Sequence, residues 1–189
     1  MAAVIGLVGI VLDSPILIVA AMVVGPEYGP IAAICVGAAR ARWKPTGRAM
    51  LTLLISLGVG AVAAALAALL FHSLSLAPDS LNISDRTLTA FIAQPDPLGA
   101  VVAALAGVIG MLSFTESRSN SLVGVLVSVT TVPAVANAGG SAAYGEWGQV
   151  RGSLIQLGIN IMGLLLFGLL TVKVQSWYTE RHPEKLQLK

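Results

Sequence analysis

Charge is scarce in this sequence. Asp, Glu, Lys and Arg make up 11% of its 189 residues, against about 25% in an ordinary soluble domain. Hydrophobic residues reach 56% and the mean hydropathy is +0.87, so a water-soluble globular fold is excluded. Cysteine is scarcer still. Cys35 stands alone in an apolar run, which rules out an intrachain disulfide and leaves a thiolate metal site without ligands. The two histidines, His72 and His182, are too far apart to suggest a ligand pair. With a net charge of +2 confined to short loops and the C-terminal tail, the chain has no basic stripe and no nucleic-acid partner is expected. Glu27, Asp13 and two remote histidines cannot be assembled into a nucleophilic or metal-dependent centre, so neither an enzyme nor a cofactor is expected. The alternating pattern of a membrane β-barrel is missing as well.

What the sequence does contain is apolar blocks of roughly 17 to 25 residues, the length that crosses about 30 Å of hydrocarbon as α-helix. The blocks predict an all-α membrane protein with about six transmembrane helices. The first covers Ala2 to Leu12. A second runs from Pro15 to about Val24, is interrupted over Gly25 to Pro30, and resumes to Arg40. In "DSP", Asp13 or Ser14 is placed to cap that second helix, and Pro15 suits its first turn. Further helices are predicted over 49–71, 98–113, 121–143 with a break near Pro133, and 152–174, with a short amphipathic piece of 72–96 on the membrane surface. The start carries no positive n-region or cleavage site, so it is expected to stay in the mature chain. Residues 1–174 then form one transmembrane domain, and 175–189 a cytoplasmic tail.

Arg40, Arg42, Lys44 and Arg48 crowd one short link, while 72–96 holds Asp79, Asp85 and Asp96 against Arg86. Basic short loops favour the cytoplasm, so both termini are expected there, in a multi-pass protein of the cell membrane.

Superposing Pro26 on Pro133 brings two halves, about 2–72 and 98–174, into a common order: helix, turn, helix broken at proline, small-residue continuation, polar link, long helix. Three crossings per half make the repeats inverted. Broken helices at matching positions of inverted repeats point to a solute or ion site near the midplane, because freed backbone groups persist at that depth only beside protein or a water-filled cavity. The candidate site residues are Glu27, Tyr28 and Gly29 at the first break, and Thr130, Thr131, Pro133 and Asn137 at the second. A carboxylate inside a bilayer costs on the order of 3 kcal/mol, which marks Glu27 as functional; at the interface it would be merely solvated. Threonine and asparagine also bond between helices, a reading that competes with site lining for Thr130, Thr131 and Asn137. Asn160 is expected to be such an interhelical bond, and Gly58, Gly60, Ala64, Gly107 and Gly110 to allow close packing.

The stretches "DSPILIVAAMVVGPEYGPIAA", "LVGVLVSVTTVPAVANAGG" and "GSLIQLGINIMGLLLFGLL" resemble the bacterial membrane family catalogued as domain of unknown function 389. The resemblance covers nearly the whole chain and implies an integral membrane protein of bacteria without naming a substrate. Many members carry a second proline where this chain has Ala134, and many have a longer N-terminal segment.

Taken together, the residues lead to a transport protein for a small solute or ion, with membrane lipid around it and copies of itself as the expected partners. An oligomeric channel, or a structural or signalling membrane module, is the alternative.

Overall fold

The computed structural model describes residues 1–25, 27–76, 88, 89, 92, 94, 97–115 and 131–181. Among these residues there are seven helices and no strand: α1 (Ala2–Val11), α2 (Pro15–Val24), α3 (Tyr28–Ala39), α4 (Trp43–Ser73), α5 (Pro97–Thr115), α6 (Val132–Ala143) and α7 (Trp147–Arg181).

One device closes four helix ends. After α1, Asp13 takes a φ of 47° and the Ser14 N–H donates to the Gly9 carbonyl at 2.8 Å. Ala41 (φ 51°), Ser75 (φ 54°) and Gly145 (φ 73°) repeat the turn. There Arg42 N–H reaches Gly37 O, Leu76 N–H reaches Phe71 O and Glu146 N–H reaches Ser141 O, at 2.8 to 2.9 Å. A left-handed residue followed by a bond five residues back satisfies carbonyls that the helix end would otherwise leave bare in lipid.

Pro15 sits in the first turn of α2, as expected. The first break is shorter than expected. The chain is extended at Gly25 but helical again from Tyr28, with axes 54° apart across the gap; Pro26 itself lies outside the described residues. Pro30 falls in the first turn of α3, where a missing N–H costs nothing. Pro133 likewise occupies the first turn of α6, and the expected helix over 121–130, together with nearly all of the surface piece, lies outside the described residues.

The long helices exceed their expected bounds. α4 starts at Trp43 rather than Ala49, and α7 runs from Trp147 to Arg181, so Gln175 to Arg181 are helical. Apolar content alone located the cores of these helices, while their polar ends carry no hydrophobic signal. By length and composition α4 and α7 can each cross a membrane, and the bent pair α2 and α3 makes a third span if counted as one. α1 and the Pro97–Ser113 part of α5 are apolar but shorter.

On α4, Leu51, Leu54, Ile55, Val59, Val62 and Leu66 are all more than half exposed, while Leu53, Leu57, Ala64 and Ala68 face inward. An apolar surface of that extent is not sustained in water; this is a helical membrane protein. At the centre stands α6, buried without interruption from Val132 to Ser141 and packed against α1, α2, α4 and α7. Its small residues permit this: Gly139 lies directly on the Ala61 carbonyl of α4, leaving no room for a side chain.

The two short helices α3 and α6 each pack on both long helices. At the end of α4, Ala68 and His72 meet Ala143 and Tyr144, with the His72 and Tyr144 rings 5.7 Å apart, edge to face. At the end of α7, Val172, Gln175 and Ser176 meet Ala39 and Arg40. Each long helix thus finishes beside the link from which the other starts.

Candidate functional site

Glu27 is the residue immediately before α3 and is only 7% exposed. It lines a cleft of about 290 Å³ with Val24, Ser56, Gly60, Val132 and Val135. The break after α2 therefore opens against the middle of α4 and the first turns of α6. A turn, rather than a helix interior, positions Glu27 here, and its carbonyl accepts from the Ile31 N–H at 3.2 Å as α3 begins. The Ser56 hydroxyl donates to the Leu53 carbonyl at 2.8 Å within α4, which leaves its oxygen lone pairs available to accept.

The expected site residues divide among different surroundings. Tyr28 turns away toward α5, where its hydroxyl donates to the Gly110 carbonyl at 3.1 Å. Gly29 is exposed, with open space where a side chain would stand. Thr131 is fully buried at the start of α6, and its hydroxyl has no hydrogen-bond partner among the described residues. Pro133 is buried beside it, between the cleft-lining Val132 and Val135. Asn137 points elsewhere: its amide donates to Ser153 Oγ on α7 at 2.8 Å. Thr130 lies outside the described residues. Asp13 does not cap α2. Its carboxylate accepts from the Leu88 N–H, the Thr89 N–H and the Thr89 hydroxyl at 2.8 to 3.2 Å, pinning residues 88 and 89 to the turn between α1 and α2.

Asn160 was expected to bond between helices; the bond seen is to Gln156 of its own helix, and sequence reasoning missed the row to which both belong. Gln149, Ser153, Gln156 and Asn160 are all buried on α7, and their spacing of i, i+4, i+7 and i+11 puts them on one helix face. Ser153 meets Asn137, and Gln149 lies 3.5 Å from the Ser141 hydroxyl and also donates to the Glu146 carboxylate. The Gln156 amide donates to Asn160 at 3.0 Å, in the space left by Gly99 of α5. The periodicity was the available signal.

Chemically, the cleft offers one carboxylate, one hydroxyl and backbone groups at a helix break, a set that suits a proton or a small cation. Among the described residues no three His, Cys, Asp or Glu side chains gather into a metal-binding group.

No solved structure matches the chain. An uncharacterized protein of Methanocaldococcus jannaschii is 24% identical over 190 aligned positions, which cover 98% of this chain and 57% of that one. The chain therefore spans little more than half the length of that relative. Residues 22–166, most of the described core and Glu27 with it, match the family model described as domain of unknown function (DUF389), and the chain belongs to that family.

Proposed function

We propose that this is an integral membrane transport protein that moves a small solute or ion through a polar site between two broken helices, with Glu27 as its proton or cation partner. The observation that carries the proposal is the buried carboxylate of Glu27 in a cleft walled by the start of α6, since an ionisable group held at membrane depth is costly unless it serves the solute path.

Two three-helix repeats of opposite sense, about 2–72 and 98–174, complete the reading. Several matched features support them. α3 and α6 both have 12 residues, and each is followed by a three-residue link and a long helix opening on tryptophan. Trp43 and Trp147 stand 104 positions apart, as do the cap residues Ala41 and Gly145. Contacts between the halves recur at the same separation. The Cys35 thiol lies 3.8 Å from the Leu165 carbonyl and against Gly168, while Gly139 lies against the Ala61 carbonyl and Ala64. Such reciprocal contacts fit a pseudo-two-fold axis, and long helices that each end beside the other's start fit opposite directions. The register that follows sets Glu27 opposite Thr131, and Gly29 rather than Pro26 opposite Pro133. It differs by three from the proline alignment.

Cytoplasmic termini and self-association belong to the same reading; Gly58 and Gly158 are open positions on the lipid-facing surface where helices of two copies could approach. Flux in proteoliposomes with a panel of ions, measured on wild type and Glu27→Gln, tests it. The variant is expected to fold and assemble normally but to lose flux or shift its pH dependence. Unchanged flux and an unchanged pH profile would overturn the role of Glu27, and flux that scales linearly with gradient without saturation would favour a channel.

A further inference from the structure

The 104-residue register turns the Glu27 cleft into a question about its counterpart. Carried forward, Ala3, Glu27, Ser56 and Gly60 become Gly107, Thr131, Asn160 and Leu164; carried back, Val132 and Val135 become Tyr28 and Ile31. Among the described residues this second set is closely packed. A side chain placed on Gly107 would stand 2.7 Å from the Leu164 carbonyl and 3.1 Å from the Gly168 N–H, and one on Gly163 would stand 3.1 Å from Ala103, so α5 lies flush on α7. Tyr28 of α3 holds α5 beside this seam through its bond to the Gly110 carbonyl. Behind it, Asn160 is 3% exposed, and the buried Thr131 hydroxyl, the counterpart of the Glu27 carboxylate, lacks a partner among the described residues.

We infer that this counterpart is the closed half of the solute path, and that the protein exchanges between two states in which the halves trade arrangements. The inference rests on the repeat reading above. In the second state α5 parts from α7, Tyr28 releases Gly110, and the Thr131 hydroxyl and Asn160 amide face the same small solute or ion that Glu27 and Ser56 face here. The Glu27 cleft shuts as α1 closes on α4 in the manner of α5 on α7. Inverted repeats supply the reason, since each half can adopt the other's conformation at similar energy while the membrane sides are interchanged.

Thiol labelling of the full chain in sealed vesicles tests the exchange without knowing the solute. In a Cys35→Ala background, Ser56→Cys reports on the open cleft, and Ile161→Cys, half-buried and the counterpart of Leu57, reports on the closed one. An impermeant maleimide is expected to reach Ser56→Cys from one face. It should reach Ile161→Cys from the opposite face, on the order of ten times more slowly. Tyr28→Phe, which removes the clamp alone, should speed Ile161→Cys severalfold and slow Ser56→Cys. Labelling of both from one face, no labelling of Ile161→Cys, or an equal speeding of both by Tyr28→Phe would overturn the inference. If Ile161→Cys does not fold, Leu165→Cys, one turn on and also half-buried, carries the same readout. Absence of flux with every ion would count against the transport reading alone, because labelling from opposite faces is read independently of it.

Discussion

Helices α4 and α7 each follow a 12-residue helix and the same left-handed cap, and each opens on tryptophan, yet the faces they bury differ in chemistry. α4 buries Leu53, Leu57, Ala64 and Ala68; α7 buries Leu157, Leu164, Gly168 and Val172 and, besides these, Gln149, Ser153, Gln156 and Asn160 in a row about 16 Å long. In the first half the two carboxylates sit at turns, where Asp13 holds residues 88 and 89 and Glu27 lines the cleft, while the Ser56 hydroxyl bonds to its own helix. The second half keeps its hydrogen bonds inside, between α6 and α7 and against α5. Inside a bilayer the apolar face gains nothing from excluding water, so α4 relies on close contact through small residues. The polar face of α7 adds directional bonds to that contact. One half is therefore fitted by shape, and the other is also registered by hydrogen bonds.

The largest expected effect attacks the fit by shape. Gly139→Val forces two methyl groups against the α4 backbone at Ala61 and should cost about 3 kcal/mol or prevent folding. Gly58→Val, on the open face of the same long helix, should be close to neutral. Thermal unfolding in detergent compares the two, and similar losses would mean that the fit on α4 is not specific. Next comes Asp13→Ala, which deletes the bonds that Leu88 and Thr89 donate to its carboxylate and should cost about 2 kcal/mol, read as faster proteolytic cutting near Leu88 with the helices intact.

Asn160→Leu, which removes the acceptor of the Gln156 amide, should cost about 1 kcal/mol; Ser56→Ala on α4 should stay below about 0.5 kcal/mol. Equal values would erase the contrast between the two helices. The smallest effect sharpens it: a double-mutant cycle on Asn137→Ala and Ser153→Ala should give a coupling of about 0.6 kcal/mol, whereas zero coupling would make the α7 row a set of independent side chains.

Local features of the fold were readable before the structure. Proline in the first turn of α2, the interruption after Val24 and the all-helical character follow from residues close together in sequence. Long-range features were not. Asp13 looks like a cap because Pro15 is adjacent, and its actual partners lie 75 and 76 residues away. Two prolines suggest a register for two halves of the chain; a proline marks where a helix can begin, and Pro133 lies one residue inside α6, while Pro26 lies outside the described residues. The backbone caps, which carry the offset of 104, have no fixed letter: Ala41 and Gly145 share a conformation, not an identity. Of the candidate site, Glu27 was legible because a carboxylate in an apolar run is conspicuous. Tyr28 and Asn137 were assigned to the same site by proximity in sequence, and the three-dimensional packing sends them to α5 and α7 instead.

The length of α7 has a consequence for the lipid around it. Trp147 and Trp177 are both largely exposed and stand 30 positions apart on one helix, roughly 45 Å. That distance is about the depth of a bilayer counted from headgroup to headgroup, and tryptophan favours those two boundaries. Arg181 stacks 4.3 Å over the Trp177 ring, adding a cation to the aromatic anchor. The helix thus carries a ruler for the membrane it fits. Shorter acyl chains would bring the boundaries closer than the two indoles and oblige α7 to lean, so the seam between α5 and α7 would be strained by the thickness of the membrane itself.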